Sequence, residues 1–454
     1  MKGNSRLRQI LTPGLIIMLG LAFAAGAQTY PNSTFQPHSE LGRAIDFLWN
    51  RLLLLGTIVF VLVEGALLFV VLRYRRKGNE TSRPPQTHGH AGLEITWTII
   101  PAIILIFIAV PTVRTIFQTQ AKVAAGALQI EVIGHQWWWE FRYPEYGITT
   151  ANEIYIPVGR TVNFKLNSND VIHSFWTPQL GGKRDVIANR TNYIWYTPDS
   201  SMKSAVWNGF CTEYCGTSHA KMRFRVFTVQ PAEFASWVAG QQRPAVFGAV
   251  ASATTGGTAT TPSGGEPKTS GVGADGGNAP AVARPAGTTT PGSDTVAAPA
   301  PSNGAQLASL PVGYTFPRDQ SEFDYAKPHT PVPADLHFTK GLTGNAAKGM
   351  QTFSGAACIG CHTIKGNPSA LGSTGPNLTH IGTRSTIAAG LFPNDERHLR
   401  LWIKNSRLMK PGVAMPTLGM GQRDPITGAT VTAGLGGLTD QQIADIVAYL
   451  QALR

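Results

Sequence analysis

Two uninterrupted apolar runs, residues 52–72 (LLLLGTIVFVLVEGALLFVVL) and 95–113 (ITWTIIPAIILIFIAVPTV), constrain this chain more than any other feature. Each is long enough to cross the ~30 Å hydrocarbon core of a bilayer as a helix rising roughly 1.5 Å per residue. Lipid offers no partner to a free N–H or C=O, so helix is the form such runs must take, and Pro101 and Pro111 are tolerated where neighbouring helices satisfy the freed groups. The segment between them, RYRRKGNETSRPPQTHGHAGLE, sets Arg73, Arg75, Arg76, Lys77 and Arg83 against Glu80 and Glu94. Short basic loops stay cytoplasmic, so this loop is expected inside and everything beyond Val113 outside. Ahead of the hairpin stand Lys2, Arg6 and Arg8, an apolar run over 10–25 and the small triplet Ala25-Gly26-Ala27. That layout predicts a secretory signal peptide over 1–27 cleaved near Ala27, with an uncleaved third membrane helix as the alternative.

The remaining chain divides by composition. The expected organisation is a transmembrane hairpin over 28–120, a β domain over 121–235, a linker over 240–335 and a helical domain over 340–454. In the β domain, LQIEVIGHQWWWEFRYP, EIYIPVGRTVNFKL, NYIWYTP and MRFRVFTV alternate or cluster β-branched and aromatic residues between turn-forming stretches. About a hundred residues of this kind favour a sandwich or Greek-key barrel. Between Phe247 and Tyr314 no aromatic occurs and Gly, Ala, Pro, Thr and Ser dominate, so the segment cannot bury enough apolar surface to fold. As a flexible tether it would span roughly 40 to 50 Å. The C-terminal GLTDQQIADIVAYLQALR places Ile443, Ile446, Val447, Leu450 and Leu453 on one helical face, with Thr439 and Gln442 as a capping box. The formal charge of +12 is partly the cytoplasmic loop and leader and otherwise dispersed. Without a basic stripe carrying interleaved aromatics, nucleic acid is excluded as a partner class.

All four cysteines fall in two short pairs, CTEYCGTSHAKM at 211–222 and CIGCH at 358–362. In the second, two thiols on one turn can form thioethers with haem vinyl groups and His362 is the adjacent axial ligand; a redox disulfide or half a zinc site are the alternatives. A thioether ligand is needed downstream, and the Pro-flanked KPGVAMP supplies Met415, ahead of Met409, Met420, His380 and His398. The first pair could be a disulfide in an oxidising space. Yet Cys211 and Cys215 share a loop with His219 and Met222, and thiolate, imidazole and thioether together form a soft set that selects copper. Two thiolates can bridge two metals, whereas tetrahedral zinc has no use for methionine. A second imidazole must come from elsewhere. His173 in NDVIHSFWTP is the candidate, and His135 in GHQWWW reads as a structural or hydrogen-bonding histidine among packed aromatics.

The order of these motifs, C-x-E-x-C-x-x-x-H-x-x-M after HSFW, after GHQWWW and after two membrane spans, resembles subunit II of the haem-copper cytochrome c oxidases. The haem segment behind it makes the chain similar to the caa-type enzymes. The resemblance covers about 39–229, and about 341–453 as a generic class I cytochrome c. It implies an all-β cupredoxin barrel, a disordered linker and an all-α cytochrome c domain. It further implies a dinuclear copper A centre held by the imidazoles of His173 and His219, the bridging thiolates of Cys211 and Cys215, the Met222 thioether and the Glu213 carbonyl. The Glu213 side chain would reach a magnesium ion shared with subunit I. Haem c would be held by Cys358, Cys361, His362 and Met415. Trp137, within WWW where the family has another aromatic triplet, matches the tryptophan through which electrons reach copper. Glu94 in LEITWT matches the glutamate at the mouth of a proton pathway. After the first copper histidine the family shows K-x-D-A-x-P-G-R. GGKRDVIANR keeps Lys183, Asp185 and Arg190 but has Val186, Ala188 and Asn189 instead, which puts the local turn in question.

The implied activity is that of a complex. This chain would be subunit II of a proton-pumping terminal oxidase in a bacterial plasma membrane, multi-pass, with copper and haem on the outer face. It would be fed by a cytochrome c or a quinol-oxidising complex and partnered by subunit I, subunit III and lipid, with dioxygen reduced in subunit I. A quinol oxidase subunit would lack the copper ligands, and a free-standing tethered carrier would need neither Glu94 nor the Glu213 side chain. Nitrous oxide reductase, which has such a copper loop, lacks the membrane hairpin and the haem domain. Glu64, near the middle of a span, is expected to face a neighbouring subunit.

Overall fold

A computed structural model describes residues 33–75, 88–120, 126–245, 312–320 and 330–454, together with 78, 86 and 123. The leader at 1–27, most of the basic loop and the middle of the linker lie outside the described residues. The two apolar runs sit within longer helices, α1 (Glu40–Tyr74) and α2 (Ala91–Gln120), whose long apolar side chains are exposed. At roughly 1.5 Å per residue both exceed the ~30 Å core, so each extends beyond it. The N-terminal end of α1 is tied to the domain that follows. Its cap Ser39 accepts from Gly42 N–H at 3.1 Å and also donates to Leu180 O. Arg43 meets Asp199 at 2.6 Å, and Leu41 is buried.

That domain is a sandwich of two five-stranded sheets. The first orders β3 (Ile148–Ala151), β2 (Trp138–Tyr143), β1 (Leu128–His135), β5 (Val162–Ser168) and β8 (Asn192–Tyr196). The second orders β4 (Glu153–Pro157), β10 (Arg223–Val229), β9 (Ala205–Cys211), β6 (His173–Trp176) and β7 (Arg184–Val186). Period-2 alternation is clear in β1, where Leu128, Ile130 and Val132 are fully buried and Gln129 is exposed. Between the sheets Trp139, Phe141, Phe175 and Phe224 interlock, with edge-on contacts at 5.5–6.4 Å and one stacked pair at 4.6 Å, a geometry that suits aromatic quadrupoles. A helix, α3 (Pro231–Gln241), closes the domain.

Beyond the linker, α4 (Ala346–Gly355), the single turn α5 (Cys358–Cys361), α6 (Glu396–Lys404), α7 (Ser406–Met409) and α8 (Asp440–Ala452) form the helical unit. The short hairpin of β11 (Thr386–Ile387) and β12 (Phe392–Pro393) packs Ile387 and Phe392 into the core of this unit. The capping box is present: Thr439 accepts from Gln442 N–H at 3.2 Å and Gln442 from Thr439 N–H at 2.9 Å. The apolar face of α8 is buried as its period requires.

The stretch read as linker over 240–335 is structured at its flanks. Gly313 N–H donates to Ser236 O at 3.0 Å, Phe316 is 4% exposed against Phe227, and Ala245 N–H donates to Lys365 O at 3.0 Å. The boundary therefore narrows, because the aromatic pair Tyr314 and Phe316 finds a slot on the sandwich that composition averages conceal.

Candidate functional site

The loop joining β9 to β10 carries the first cysteine pair, and sheet order brings His173 to it. Cys211 ends β9, His173 starts β6, and these strands are paired with Phe175 opposite Cys211. The Cys211 and Cys215 sulfurs are 3.7 Å apart. His173 Nδ1 lies 3.8 Å from the first, His219 Nδ1 3.6 Å from the second, and Met222 Sδ 3.8 Å from the second. Glu213 O is 3.3 Å from Cys211 Sγ, while the Glu213 side chain is exposed beside Tyr214. Both cysteines are free thiols, and His173, Cys211 and Cys215 offer ligand atoms within 4.8 Å of one another. Two sulfurs, two imidazole Nδ1 atoms, a thioether and a carbonyl in one buried pocket fit soft metal ions. The S–H that Cys215 donates, with His173 beside it, holds the Cys211 thiol below its ordinary value.

Sequence reading missed the residues that orient these ligands. Asp170 accepts from His173 Nε2 at 2.7 Å and from the N–H groups of Gln136 and Val171 at 2.6 and 2.7 Å. Burial pushes the Asp170 carboxyl up, but these donors outweigh it and hold the group below its ordinary value. A carboxylate on the far nitrogen of a ligating imidazole fixes the ring and its tautomer. Gly134 on β1 is required for the same ring: a Cβ there would stand 2.6 Å from His173 Cδ2. His135 is elsewhere, stacked on Trp138 and 3.1 Å from Glu140. The turn in question after His173 keeps a glycine-like conformation, since Asn189 has φ 60, which asparagine tolerates better than most residues.

The second pair lines a cavity of about 370 Å³ together with His362, Met415 and apolar side chains such as Leu378, Leu399 and Trp402. Met409, Met420, His380 and His398 are not among its walls. Pro376 O accepts from His362 Nδ1 at 2.8 Å, which leaves Nε2 as the nitrogen that could ligate a metal. Burial pushes the His362 imidazole below its ordinary value, toward the neutral form a metal ligand needs. A hollow apolar cavity bounded by two thiols, an imidazole and a thioether fits a covalently attached haem.

Trp137 stands between the two sites. Its indole donates to Cys215 O at 2.9 Å, with the Gln136 amide on the same oxygen at 2.8 Å, and it also lines the haem cavity. Gly412, at φ 85 in the loop before Met415, packs on it so closely that a Cβ would stand 2.7 Å from the ring. Lys410 beside that loop is buried, and burial pushes its ammonium down to about 7. In the membrane hairpin Glu94 lies in the first turn of α2 and Glu64 within α1, both exposed.

Three family models match the chain: the transmembrane domain of cytochrome c oxidase subunit II over residues 30–115, its periplasmic domain over 147–229, and cytochrome c over 346–454. Trp137 lies outside all three ranges, so geometry alone places it. Cytochrome c oxidase subunit 2 of Alkalihalophilus pseudofirmus is 29% identical over 411 residues, covering 88% of this chain and 86% of that protein. The subunit 2 of Bacillus sp. PS3 is 28% identical, over 84% and 79% respectively. The probable subunit 2 of Rickettsia bellii is 30% identical, over 52% of this chain and 93% of that protein. Fold and sites thus define a membrane-anchored redox subunit that joins a copper domain to a cytochrome. The chain belongs to the cytochrome c oxidase subunit II family. Its periplasmic domain implies copper A and its C-terminal domain haem c. A subunit II is an oxidoreductase component, through which electrons enter a terminal oxidase, associated with subunit I and a cytochrome c donor. The two apolar helices and the periplasmic domain make it a membrane protein with an outer-face domain.

Proposed function

We propose that this chain takes electrons at its cytochrome unit and delivers them through its copper domain to subunit I of a proton-pumping oxidase in a bacterial plasma membrane, where dioxygen becomes water. The observation that carries this reading is the position of Trp137, bonded to the Cys215 carbonyl on one side and walling the haem cavity on the other. When bound, haem c and the copper pair supply one-electron carriers of low reorganisation cost. Cys358 and Cys361 would hold the haem through thioethers, and His362 and Met415 would ligate its iron. Cys211, Cys215, His173, His219, Met222 and the Glu213 carbonyl would together hold the copper. Asp170 keeps the His173 ring aimed.

The exposed Glu213 carboxylate suits a magnesium ion shared with subunit I, and Glu94, at the cytoplasmic start of α2, suits the mouth of a proton pathway. Glu64 suits a polar partner on a neighbouring subunit, because an unpaired carboxylate in lipid is costly. Subunit III, and a quinol-oxidising complex as an alternative donor, complete the proposed assembly.

Metal and haem analysis of the purified chain tests the reading. The expected result is copper and one covalent haem per chain, with the copper spectrum lost in Cys211→Ser. A haem-only protein, or a copper spectrum unchanged in that variant, would sink it.

A further inference from the structure

The haem cavity is closed on one side by the copper domain, since Gln136, Trp137 and Asp170 stand among its walls. Three buried charged side chains cross that seam. Glu153 on β4 is 3% exposed. Its Oε1 accepts from the N–H groups of Ser385 and Thr386 at 3.0 and 2.8 Å and from their hydroxyls at 2.6 and 2.8 Å. Arg225, opposite Glu153 on β10, donates to the same Ser385 hydroxyl at 3.0 Å. From the cytochrome side Lys410, 2% exposed, sends Nζ to Trp137 O at 2.6 Å and to Ala388 O at 3.3 Å. Next to it Ser218, in the copper loop, donates to Pro411 O at 2.5 Å.

These contacts are not those of two surfaces that happen to touch. A buried carboxylate and a buried ammonium are costly unless each is fully partnered, and here the Ser385 and Thr386 donors to Glu153 and the shorter of the two Lys410 bonds lie across the seam. The hairpin between β11 and β12 adds a second sign of a fitted surface. Ala388 and Ala389 have φ 56 and 64, a left-handed conformation that alanine adopts only when its surroundings impose it. The Lys410 ammonium rests on one of those residues and on Trp137 at once.

We propose that Glu153 and Lys410 are positioning residues that hold the haem crevice against Trp137. The face over the copper site is then already filled by this chain's own cytochrome, and a soluble donor must deliver its electron to the haem instead. With haem and copper bound, the donor would lose one electron at the haem and the copper site would gain it by way of Trp137, with no bond made or broken. This rests on the copper and haem reading above.

The test uses the full-length chain, loaded and assembled in its oxidase. Amide hydrogen exchange at Ser385 and Thr386 is followed beside single-turnover oxidation of reduced haem. Glu153→Ala combined with Lys410→Met should speed exchange at those amides about tenfold and slow haem oxidation about tenfold, with both cofactor spectra and potentials unchanged. A role confined to the stability of either domain would alter spectra or potentials and leave the transfer rate alone. If the double variant does not fold, Ser385→Ala, which removes the hydroxyl that donates to Glu153 and accepts from Arg225, should shift both readouts the same way to a smaller extent. With reduced soluble cytochrome c as the probe, the haem band should change before the copper band in the unaltered protein. Copper reduced ahead of haem there, or exchange and transfer unchanged in these variants, would overturn the proposal. Absence of copper or haem from the unaltered protein would overturn the functional reading instead, and the exchange measurement would still decide whether the two residues hold the seam.

Discussion

The two cysteine pairs solve opposite problems. Cys211 and Cys215 are 7% and 3% exposed, with sulfurs 3.7 Å apart and every other donor of the site already in contact. Cys358 is half-buried and Cys361 exposed, at the edge of a hollow of about 370 Å³. The copper loop is a polar constellation that the chain assembles by its own hydrogen bonds. The haem pocket is walled by apolar side chains such as Leu378, Leu399 and Trp402, whose packing partner would be the haem. A site of the first kind can lose its metal and keep its fold, whereas one of the second kind loses most of its core with its cofactor.

That contrast can be broken by experiment. Cys358→Ser combined with Cys361→Ser should prevent covalent attachment of the haem, so that the apolar walls of the cavity lose the group they pack on. A small domain is stable by only about 5–15 kcal/mol, so losing that contact should cost the cytochrome unit much of its stability. Far-ultraviolet circular dichroism and limited proteolysis should show the cytochrome unit unfolded while the copper spectrum persists; a folded apo-cytochrome would break the comparison. Cys211→Ser should abolish copper binding yet cost the sandwich only about 1–2 kcal/mol, read as a small shift in urea midpoint. Asp170→Asn should weaken copper retention about 10–100-fold, measured by chelator competition, without moving the haem band.

The smallest effect concerns acid. Burial raises the Asp424 carboxyl, but the N–H groups of Thr427 and Ile426 and the Arg407 guanidinium outweigh it and hold the group below its ordinary value of 3.8. A carboxylate with a depressed folded value contributes stability above its unfolded value and loses it as pH falls through the folded one. The cytochrome unit should therefore lose thermal stability below about pH 4, and Asp424→Asn should flatten that dependence while copper release follows its own curve. Identical acid curves for the variant and the unaltered chain would remove Asp424 from the account.

Much of this was legible in residue order. Runs at 52–72 and 95–113 could only be helices, alternation in LQIEVIGH could only be a half-buried strand, and the capping box of α8 reads directly from TDQQ. The ligand types in the copper loop were legible because so few chemistries want thiolate, imidazole and thioether together. Glu153 was not, for in EIYIP it reads as the polar face of a strand. Asp170 was not either, since an aspartate in a turn is ordinary until its partner is known. The flanks of the linker were misjudged because composition averages over residues, and two aromatics suffice to dock a segment.

By itself, then, the sequence determined which elements form and which chemistries are on offer, because periodicity and ligand preference are local properties. It named two thiol pairs, a histidine beside each, and a methionine for each. Only the tertiary structure decided which atoms meet. It set β6 beside β9 so that His173 reaches the cysteines, it turned the Asp170 carboxylate onto the back of that imidazole, and it laid the loop of Lys410 and Gly412 on Trp137. Those encounters join residues far apart in the chain, fixed by packing and by the cost of burying an unpartnered charge.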